Sequence, residues 1–468
     1  MNTKISNNII ITNPTATILS WIKENLIIDN PVYLQMKKMG KDDTIRWRHI
    51  PEKLNLYAKK GDDYILPFGV LKSIWNDIKQ FEYSLSFNKN KDISIKNATT
   101  KIEMFDYQEK AIQEMIKAKG GVLVGQCGCG KTYIGIELIK RIGKKALWLC
   151  TTSDLLRQAK QDMQTLYPDI KIGVTTEGKL EIGEDVTIAT IQTLIKIDPD
   201  LYRNEFEVIV CDECAHVATA PTQMKIFGEL VSKIPARYKF GLTATPTRSD
   251  GMIRAMYAYI GVDNNGNFAP TYKIEKGEVK TIPAQHVKYS ISTIKDPLDM
   301  MKIYDTSGML SYNNLIAYLS ENEKRTMQII ENIENCAKEG RKQVVLANRV
   351  SHCEDIVRIL QAKGLNAVLV VGKVSAKQRN NILKQITPWD ILVSTYSLLK
   401  EGVSIKELDT LHLATPIKDK GMIVQCAGRI ERYMQNKKQP IVYDYVDSDI
   451  PYCEYAYLQR RRSLQKRF

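Results

Sequence analysis

The sequence predicts an α/β protein built from two successive doubly wound domains with parallel sheets. From about residue 120, short apolar runs of strand length alternate with segments of helical spacing; the alternation stops near residue 260 and resumes near residue 323. The runs are apolar at both odd and even positions, as expected for parallel strands covered by helices on both faces. Two such β/α units in tandem predict two similar domains.

Each strand is predicted from a short run rich in Val, Ile and Leu. In the first domain the predicted strands are Val122–Gly125, Ala146–Cys150, Thr187–Thr190, Val208–Asp212 and Phe240–Ala244. In the second they are Gln343–Ala347, Asn366–Val371, Ile391–Ser394, Thr410–Ala414 and Ile441–Tyr445. The helical spacing predicts helices over Lys131–Ile142, Asp154–Leu166, Lys324–Glu339 and Ser351–Ala362.

The change of pattern along the chain predicts its domain boundaries. Residues 1–100 lack the alternation and are predicted to form a small α+β accessory domain, which ends in a polar linker, Asn88–Thr100. Residues 101–275 form the first α/β domain, residues 276–322 a connection, and residues 323–468 the second domain. Its basic end, which includes Arg460–Arg462, is expected to be a solvated tail or a phosphate contact.

Composition restricts the classes of function. The 468 residues include 67 Lys and Arg against 53 Asp and Glu, a formal charge of +14. Such an excess favours a polyanionic partner, although a solvated basic surface would look the same. The nine cysteines show no paired framework, which predicts a reducing cytoplasm, and no apolar run is long enough to cross a membrane.

A glycine-rich stretch, Gly125-Gln-Cys-Gly-Cys-Gly-Lys-Thr132, follows the first predicted strand and precedes a helix. This order fits a phosphate-binding loop. Gly125, Gly128 and Gly130 let successive backbone N–H groups face phosphate oxygens. Lys131 is expected to reach the β- and γ-phosphates of ATP, and Thr132 to ligate Mg²⁺.

Two acids, Asp212 and Glu213, end another apolar strand about 80 residues later. In a nucleotide hydrolase of this kind an acid at that place holds Mg²⁺, and the neighbouring Glu polarises the attacking water. An acidic strand end before a helix is the simpler alternative. Cys211 and Cys214 have zinc-like spacing, but no second such pair exists, so zinc is not predicted.

These residues resemble the motifs of superfamily 2 helicases and translocases. Asp212-Glu213 and the later run Gly241-Leu-Thr-Ala-Thr-Pro246-Thr-Arg-Ser-Asp-Gly251 resemble motifs II and III, in the form found in the excision-repair translocase and in phage branch-remodelling helicases. The resemblance covers roughly residues 101–447. It implies two tandem RecA-like P-loop NTPase domains.

The resemblance also implies roles for individual residues. Gln108 would contact adenine, and Thr243, Thr245 and Gly402 would couple ATP state to nucleic-acid grip. Gln425, Arg429 and Arg432 lie in a stretch similar to motif VI. Either arginine can stabilise the γ-phosphate as charge shifts during hydrolysis, although both could instead be solvated helix residues. The implied contacts to the DNA strand are Thr151, Thr152, Arg157, Thr190, Asn348, Arg349 and Thr395.

Two features stand apart from this pattern. Ala215 occupies the fourth position of motif II, where the family usually has His or Asp, so coupling between ATP and DNA is in doubt while Mg²⁺ binding is not. In residues 1–100, Arg46, Trp47 and Arg48 alternate charge with an aromatic ring, as surfaces that stack bases do. An ordinary core tryptophan between surface arginines is the alternative.

The leading hypothesis is therefore an ATP- and Mg²⁺-dependent DNA motor that unwinds or branch-migrates forks and four-way junctions. It is expected to be monomeric, cytoplasmic in the host cell if phage-encoded, and open to phage recombination or replication partners. Three alternatives remain: an RNA-directed or transcript-releasing motor, the motor subunit of a restriction or conflict system, and an ATP-gated DNA-binding module with weak turnover.

Overall fold

The structure of the protein is a computed structural model that describes residues 1–39, 49–100, 102–126, 128–176, 179–216, 221–244, 252–294, 296–383, 388–396, 405–417 and 419–465. The chain divides into two units, Met1–Glu278 and Val279–Phe468. Within the described residues, the first unit contains a five-stranded, a seven-stranded and a two-stranded sheet, and the second contains a six-stranded sheet. No helix in these ranges has both the length and the apolar character needed to span a bilayer.

The described part of residues 1–100 forms a five-stranded sheet, a two-stranded sheet (β3 and β4) and three helices. The strands are β1 (Asn2–Ile5), β2 (Asn8–Thr12), β3 (Ile27–Asp29), β4 (Lys53–Asn55), β5 (Ala58–Lys60), β6 (Asp63–Pro67) and β7 (Glu82–Leu85), and the helices are α1 (Ala16–Asn25), α2 (Pro31–Lys38) and α3 (Leu71–Ile78). The five-stranded sheet has the order β5-β6-β2-β1-β7. Alternate residues such as Ile9 and Ile11 are buried, so one face of this sheet lies in a core with Ile18 of α1 and Ile74 of α3.

The rest of the first unit forms the first α/β domain. Its elements are α4 (Asp106–Ala118), β8 (Gly120–Val124), α5 (Lys131–Ile142), β9 (Ala146–Cys150), α6 (Ser153–Leu166), β10 (Ile172–Thr175), β11 (Val186–Thr190), α7 (Ile191–Leu194), β12 (Val208–Cys211), α8 (Pro221–Ser232), β13 (Tyr238–Thr243), α9 (Ile253–Ile260) and β14 (Tyr272–Lys273). All strands run parallel, in the order β10-β11-β9-β12-β13-β8-β14.

The second unit repeats the α/β pattern around a parallel sheet. Its elements are β15 (Gln285–Ile291), α10 (Pro297–Met301), α11 (Tyr312–Glu321), α12 (Glu323–Lys338), β16 (Gln343–Ala347), α13 (Val350–Ala362), β17 (Ala367–Val370), α14 (Ala376–Leu383), β18 (Ile391–Thr395), β19 (Thr410–Leu413), α15 (Lys420–Ile430), β20 (Ile441–Asp447) and α16 (Pro451–Gln465). The order is β15-β20-β19-β16-β18-β17.

The predicted fold class is confirmed, because two parallel sheets form from the predicted runs, and each predicted strand is observed with both ends within two residues of its predicted limits. The sequence did not predict β10, β14 or β15. β15 lies in the stretch taken as a connection, yet it pairs with β20 over seven residues at the edge of the second sheet. Its polar, alternating sequence at a sheet edge lacks the continuous apolar run that identifies a central strand.

The N-terminal sheet and α9 share one hydrophobic core. Met252, Ala255 and Ala258 are buried in the same cluster as Ile74 and Ile78 of α3. Gly69 lies so close to α9 that a Cβ added to it would be 2.5 Å from the carbonyl oxygen of Ala258. The Val262 N–H also donates to the Gly69 carbonyl at 3.1 Å. The accessory sheet is therefore joined to the first α/β domain by packing as well as by the chain.

Lys239 of β13 adds a buried polar contact at this junction. Its Nζ donates to the carbonyl oxygens of Asn7 (3.4 Å) and Val231 (3.3 Å), and it lies 4.9 Å from the centroid of the Phe68 ring. Burial lowers the pKa of Lys239 to about 7.

The polar stretch before residue 100 is bound to the first α/β domain, so the prediction of a linker is wrong for residues 88–95. Asn88 donates from Nδ2 to the carbonyl oxygens of Arg203 (2.7 Å) and Phe206 (2.9 Å). The N–H and Oγ of Ser94 both donate to the carboxylate of Asp185, at 2.7 and 2.6 Å. Polar composition predicted a linker, but these side chains form hydrogen bonds with groups at the amino-terminal edge of the sheet.

The close approach at Gly69 predicts the effect of a single methyl group. Gly69→Ala places a Cβ against backbone atoms of α9 that cannot move independently of the helix, and overpacking of this kind costs about 1–3 kcal/mol. We expect a lower urea midpoint with an unchanged m-value. Gly277→Ala, where an added Cβ has no atom within 4 Å, is the matched control. Equal midpoints for the two variants would show that the junction is loosely packed.

Candidate nucleotide site and strand-binding edge

The carboxyl edge of the seven-stranded sheet brings the predicted motifs together. The strands β9, β12, β13 and β8 are consecutive neighbours and run parallel, so their carboxyl ends lie along one edge. The loop beginning at Gly125 follows β8, and Asp212 follows β12. β13 lies between these two strands, and the Gly125 N–H donates to the Thr243 carbonyl at 3.1 Å. Thr243 thus contacts the phosphate-binding loop directly through the backbone.

The loop between β8 and α5 has the backbone that its glycines permit. Gly128 and Gly130 have φ values of +88° and +80°, and Gly130 precedes the first residue of α5. A Cβ on Gly130 would lie 2.2 Å from Nε2 of Gln108. Lys131 is buried, and its Nζ donates to the carbonyl oxygens of Gly125 (3.0 Å) and Gln126 (3.3 Å). Thr132 follows in the first turn of α5, and the N–H groups in the first turn of a helix are suited to binding an anion.

Gln108 is held against this loop by both ends of its side chain. Its Nε2 donates to the Cys129 carbonyl at 2.9 Å, and its Oε1 accepts from the Phe105 N–H at 3.0 Å at the start of α4. The hydroxyl of Tyr107 donates to the same Cys129 carbonyl at 3.1 Å. The residue predicted to contact adenine therefore adjoins the phosphate-binding loop.

An ion-pair network between α4 and α5 fixes that position. Arg141 donates to both carboxylate oxygens of Glu109, at 2.5 and 2.7 Å, and to Glu137 at 3.2 Å. Glu137 is fully buried and also accepts from the hydroxyls of Thr100 and Tyr167. This network was not predicted from the sequence. Only the i,i+4 spacing of Glu137 and Arg141 on one helix indicated part of it.

Asp212 and Glu213 form an acidic pair in which Asp212 is buried and Glu213 is half-buried. Burial raises the pKa of Asp212 to about 7, and the Glu213 carboxylate adds to the rise, whereas Lys131 and the Glu213 N–H oppose it. The Glu213 N–H donates to Oδ1 of Asp212 at 3.0 Å. Glu213 has a φ of +49°, an uncommon conformation for a residue with a side chain. Its Oε2 is buried with no hydrogen-bond partner among the described residues.

These carboxylates fit a divalent cation shared with phosphate. A buried acid with a raised pKa and a neighbouring carboxylate oxygen without a partner both gain from a nearby positive charge. No cluster of three ligating side chains occurs in the described part of the chain. Mg²⁺ in nucleotide sites is typically held by one or two protein oxygens and by the phosphates. Cys211 and Cys214, by contrast, belong to the hydrophobic core of the first unit.

Ala215 is also buried in that core. It lies in the short 3₁₀ turn Cys214–His216 that follows the acidic pair. The fourth position of motif II therefore presents a methyl group to apolar neighbours.

The predicted strand contacts of the first unit lie along the same edge of the sheet. Thr152 and Thr190 each cap a helix, because their Oγ1 atoms accept from the N–H groups of Leu155 and Thr193, both at 3.3 Å. Thr151 precedes Thr152 directly after β9. Arg157 of α6 is partly exposed and is ion-paired with Asp154. The capping hydroxyls are thus partly engaged before any ligand binds.

In the second unit the predicted motif VI residues lie on and just after α15. Gln425 is buried on α15, and Arg429 is one turn later on the same helix face. Arg432 follows the helix and pairs through its backbone with Thr281. The Glu431 carbonyl accepts from the Ile282 N–H at 2.9 Å. The end of the motif is thereby fixed to the segment that leads into β15.

Asn348, Arg349 and Thr395 lie at the carboxyl ends of the neighbouring strands β16 and β18. Nδ2 of Asn348 donates to the Tyr312 hydroxyl at 2.6 Å and to the Pro416 carbonyl at 3.3 Å. Arg349 donates to the Asn313 carbonyl at 3.2 Å. The remaining predicted residues, Thr245, Gly402, Arg46, Trp47 and Arg48, lie outside the described residues.

Two family models match the chain. Residues 101–248 match the type III restriction enzyme, res subunit, and residues 324–434 match the helicase conserved C-terminal domain. The first match contains the phosphate-binding loop and the acidic pair. The second match contains the Gln425–Arg432 stretch.

The chain is also similar to two named viral proteins. It is 24% identical over 445 residues to protein L396 of Acanthamoeba polyphaga mimivirus, whose name proposes an ATP-dependent RNA helicase; 92% of this chain and 80% of that protein are covered. It is 24% identical over 422 residues to the ATP-dependent DNA helicase uvsW of Enterobacteria phage T4, covering 82% of this chain and 80% of the phage protein.

Two further similarities are to one translocase over part of the chain and to one solved structure at a low TM-score. The DNA 3'-5' translocase XPB2 of Sulfurisphaera tokodaii is 24% identical over 242 residues, which cover 49% of this chain and 53% of XPB2. The crystal structure of T4 UvsW aligns with 100% of this chain and 98% of its own chain, at 18% identity and a TM-score of 0.41.

A phosphate-binding loop and an acidic pair at one edge of a parallel sheet define a P-loop nucleoside triphosphatase. The second sheet carries the matching helicase C-terminal domain. The chain belongs to superfamily 2 of the helicases, and it is a nucleic-acid-dependent ATPase.

The raised pKa of Asp212 predicts how stability depends on pH. Above pH 7 the folded state holds an ionised buried carboxylate at a cost, and this cost disappears as the pH falls from about 7 towards 4. Asp212→Asn removes the charge at every pH. We therefore expect it to raise the Tm by about 3–6 °C at pH 8, without Mg²⁺ or nucleotide, and by much less at pH 5.

Asp185→Asn is the matched control for this measurement. Asp185 is equally buried, but its carboxylate accepts from both Ser94 groups and from the Lys171 N–H at 2.9 Å, so its substitution should lower the Tm. An Asp212→Asn variant that is less stable than the wild type at pH 8 would contradict the pKa assignment.

Proposed function

We propose that the protein is an ATP-dependent DNA motor that unwinds or branch-migrates forked and four-way DNA. The observation that carries this proposal is the common edge of the first sheet. The phosphate-binding loop, the acidic pair and the candidate strand contacts Thr151, Thr152 and Thr190 all follow strands that end there. A ligand-dependent shift at the nucleotide can therefore reach the strand-binding residues through neighbouring strands of one sheet.

The residues of the first unit are suited to ATP hydrolysis. Loop N–H groups and Lys131 bind the β- and γ-phosphates, and Gln108 contacts the adenine. Thr132 and Asp212 would hold Mg²⁺, which neutralises charge on the phosphates when bound. The Glu213 carboxylate, with one buried oxygen lacking a described partner, orients and polarises the attacking water.

Positive charge for the transition state comes from Arg429 and Arg432 of the second unit. A cationic finger of this kind contributes roughly 10³–10⁵ in rate in P-loop enzymes. Each round of ATP hydrolysis changes the grip of the units on the phosphates of the strand, and alternating grip produces movement along it.

Two relatives and the charge of the chain favour DNA as the nucleic acid along which the protein moves. The names of uvsW and XPB2 specify DNA. The net charge of +14 favours a polyanion of either kind. We further propose that the protein acts as a monomer in the cytoplasm. The name of the mimivirus relative specifies RNA, which makes an RNA-directed motor the second candidate.

The site assignment predicts two different kinds of inactive variant. Lys131→Ala removes the cation that binds the β- and γ-phosphates, so it should abolish hydrolysis and weaken ATP binding. Glu213→Gln keeps the loop intact and removes the group that activates water, so it should retain ATP binding and lose turnover by at least about 10²-fold. Fluorescent-ATP binding and DNA-stimulated phosphate release measure the two effects. Hydrolysis retained by both variants would refute the assignment.

The substrate proposal predicts the outcome of an unwinding panel. With ATP and Mg²⁺, forks and four-way junctions should be processed faster than blunt duplexes or RNA–DNA hybrids. Glu213→Gln serves as the inactive control on every substrate. Preference for RNA substrates would favour the RNA-directed motor. Turnover at background level with saturating forked DNA would favour an ATP-gated binding module, consistent with the methyl group at Ala215.

A further inference from the structure

Four consecutive backbone carbonyls in the second unit each accept a side-chain hydrogen bond. They belong to residues 414–417, which follow β19. The five donors come from five different parts of the unit: Arg325 to Ala414 (2.8 Å), Tyr396 to Thr415 (2.7 Å), Tyr312 and Asn348 to Pro416 (2.9 and 3.3 Å), and Arg460 to Ile417 (3.2 Å). Loop carbonyls usually bond to water, so this degree of side-chain engagement indicates a loop whose position is closely specified.

The loop precedes, in sequence, the helix that carries the motif VI residues. α15 begins at Lys420, and Asp419 caps it by accepting from the Met422 N–H at 3.0 Å. Gln425 and Arg429 lie on this helix. The position of residues 414–417 therefore sets where the amino-terminal end of α15 lies, and through the rigid helix it sets where Arg429 lies.

Three of the five donors belong to the core of the unit. Arg325 and Arg460 are buried and form ion pairs with Asp447 and Asp444, and Tyr396 is buried. Arg460 is thus neither a solvated tail residue nor a phosphate contact, which corrects the expectation for that residue. Truncating any of these three would destabilise the whole unit.

Tyr312 and Asn348 differ because they lie at the surface. Tyr312 is 37% exposed, and its hydroxyl accepts from Asn348 and donates to Pro416. Both amide hydrogens of Asn348 are accounted for by the Tyr312 hydroxyl and the Pro416 carbonyl. The Asn348 N–H also donates to Oγ1 of Thr415 at 3.0 Å. A phosphate could gain a hydrogen bond from this amide only by displacing one of these partners.

We propose that Tyr312 and Asn348 are positioning residues that connect the strand-binding edge of the second unit to the motif VI helix. They hold the 414–417 loop so that Arg429 is presented accurately for hydrolysis. Asn348 acts here through Pro416 and not as a direct phosphate contact. This inference rests on the proposed function, because it assigns Arg429 a role in ATP turnover.

Tyr312→Phe tests the proposal with the loss of one oxygen atom. Arginine groups of this kind act only within a fraction of an ångström of the productive position. We expect kcat at saturating forked DNA to fall about 3–10-fold, with the KM for ATP and the DNA concentration for half-maximal stimulation unchanged. If Tyr312 only stabilised the fold, the substitution would lower the Tm, and kcat would not fall while the other two constants stayed unchanged.

Tyr304→Phe is the matched control. Tyr304 is also 37% exposed, precedes Tyr312 in the second unit, and its hydroxyl makes no hydrogen bond within the described residues. It should leave kcat unchanged. Asn348→Asp, which cannot donate to Pro416, should reproduce the Tyr312→Phe effect, and the double variant should be no worse than the stronger single one. If Asn348→Asp instead raises the DNA concentration for half-maximal stimulation at normal kcat, Asn348 is a phosphate contact and the proposal fails.

Arg429→Ala, measured in parallel, distinguishes a failure of the proposed function from a failure of the positioning proposal. If it retains DNA-stimulated turnover, the arginine role in the proposed function is wrong, and the positioning proposal fails with it. If it abolishes turnover while Tyr312→Phe behaves like Tyr304→Phe, only the positioning proposal is overturned.

Discussion

The acidic pair at the end of β12 is the constraint around which the first unit is organised. Asp212 is buried where its charge is costly, and Glu213 has a strained backbone and a buried oxygen without a described partner. A fold keeps such features when the surrounding strands over-determine them. Here β9 and β13 flank β12, and backbone hydrogen bonds join Asp212 to Leu149 and Gly125 to Thr243. The site is therefore prepared electrostatically for a ligand that brings Mg²⁺ and phosphate together.

Much of this arrangement could be predicted from the sequence because central parallel strands are uniformly apolar. The runs at residues 146–150 and 343–347 end in the structure where the pattern ends. The glycines before Lys131 specify their own backbone conformation, so the phosphate-binding loop was also evident. Once the strands are known to be parallel, residues at their carboxyl ends must share an edge, which places Asp212 near the loop without further information.

Other features could not be predicted, because they depend on which distant polar groups meet. The Arg141–Glu109–Glu137 network joins helices whose contact is not encoded by local periodicity. Asn88 and Ser94 belong to a segment that looks solvated until the groups they bond to, at residues 185 and 203, are known. Tyr312 lies in a stretch taken as a connection, and only the folded structure shows its hydroxyl beside residue 416. Edge strands such as β15 escape detection for a related reason, since one side of the strand needs no apolar cover.

The contact between Gly69 and α9 also has a consequence for protein engineering. A chimaera that exchanges only residues 1–100 with those of a relative would place a foreign surface against Met252, Ala255 and Ala258. The natural unit of exchange is therefore discontinuous: the accessory sheet together with α9 and the loop through Gly266, whose carbonyl accepts from Ser73 at 2.6 Å. Substitutions in the core of the accessory sheet are restricted in the same way, because they must remain compatible with packing against α9, the helix that follows motif III.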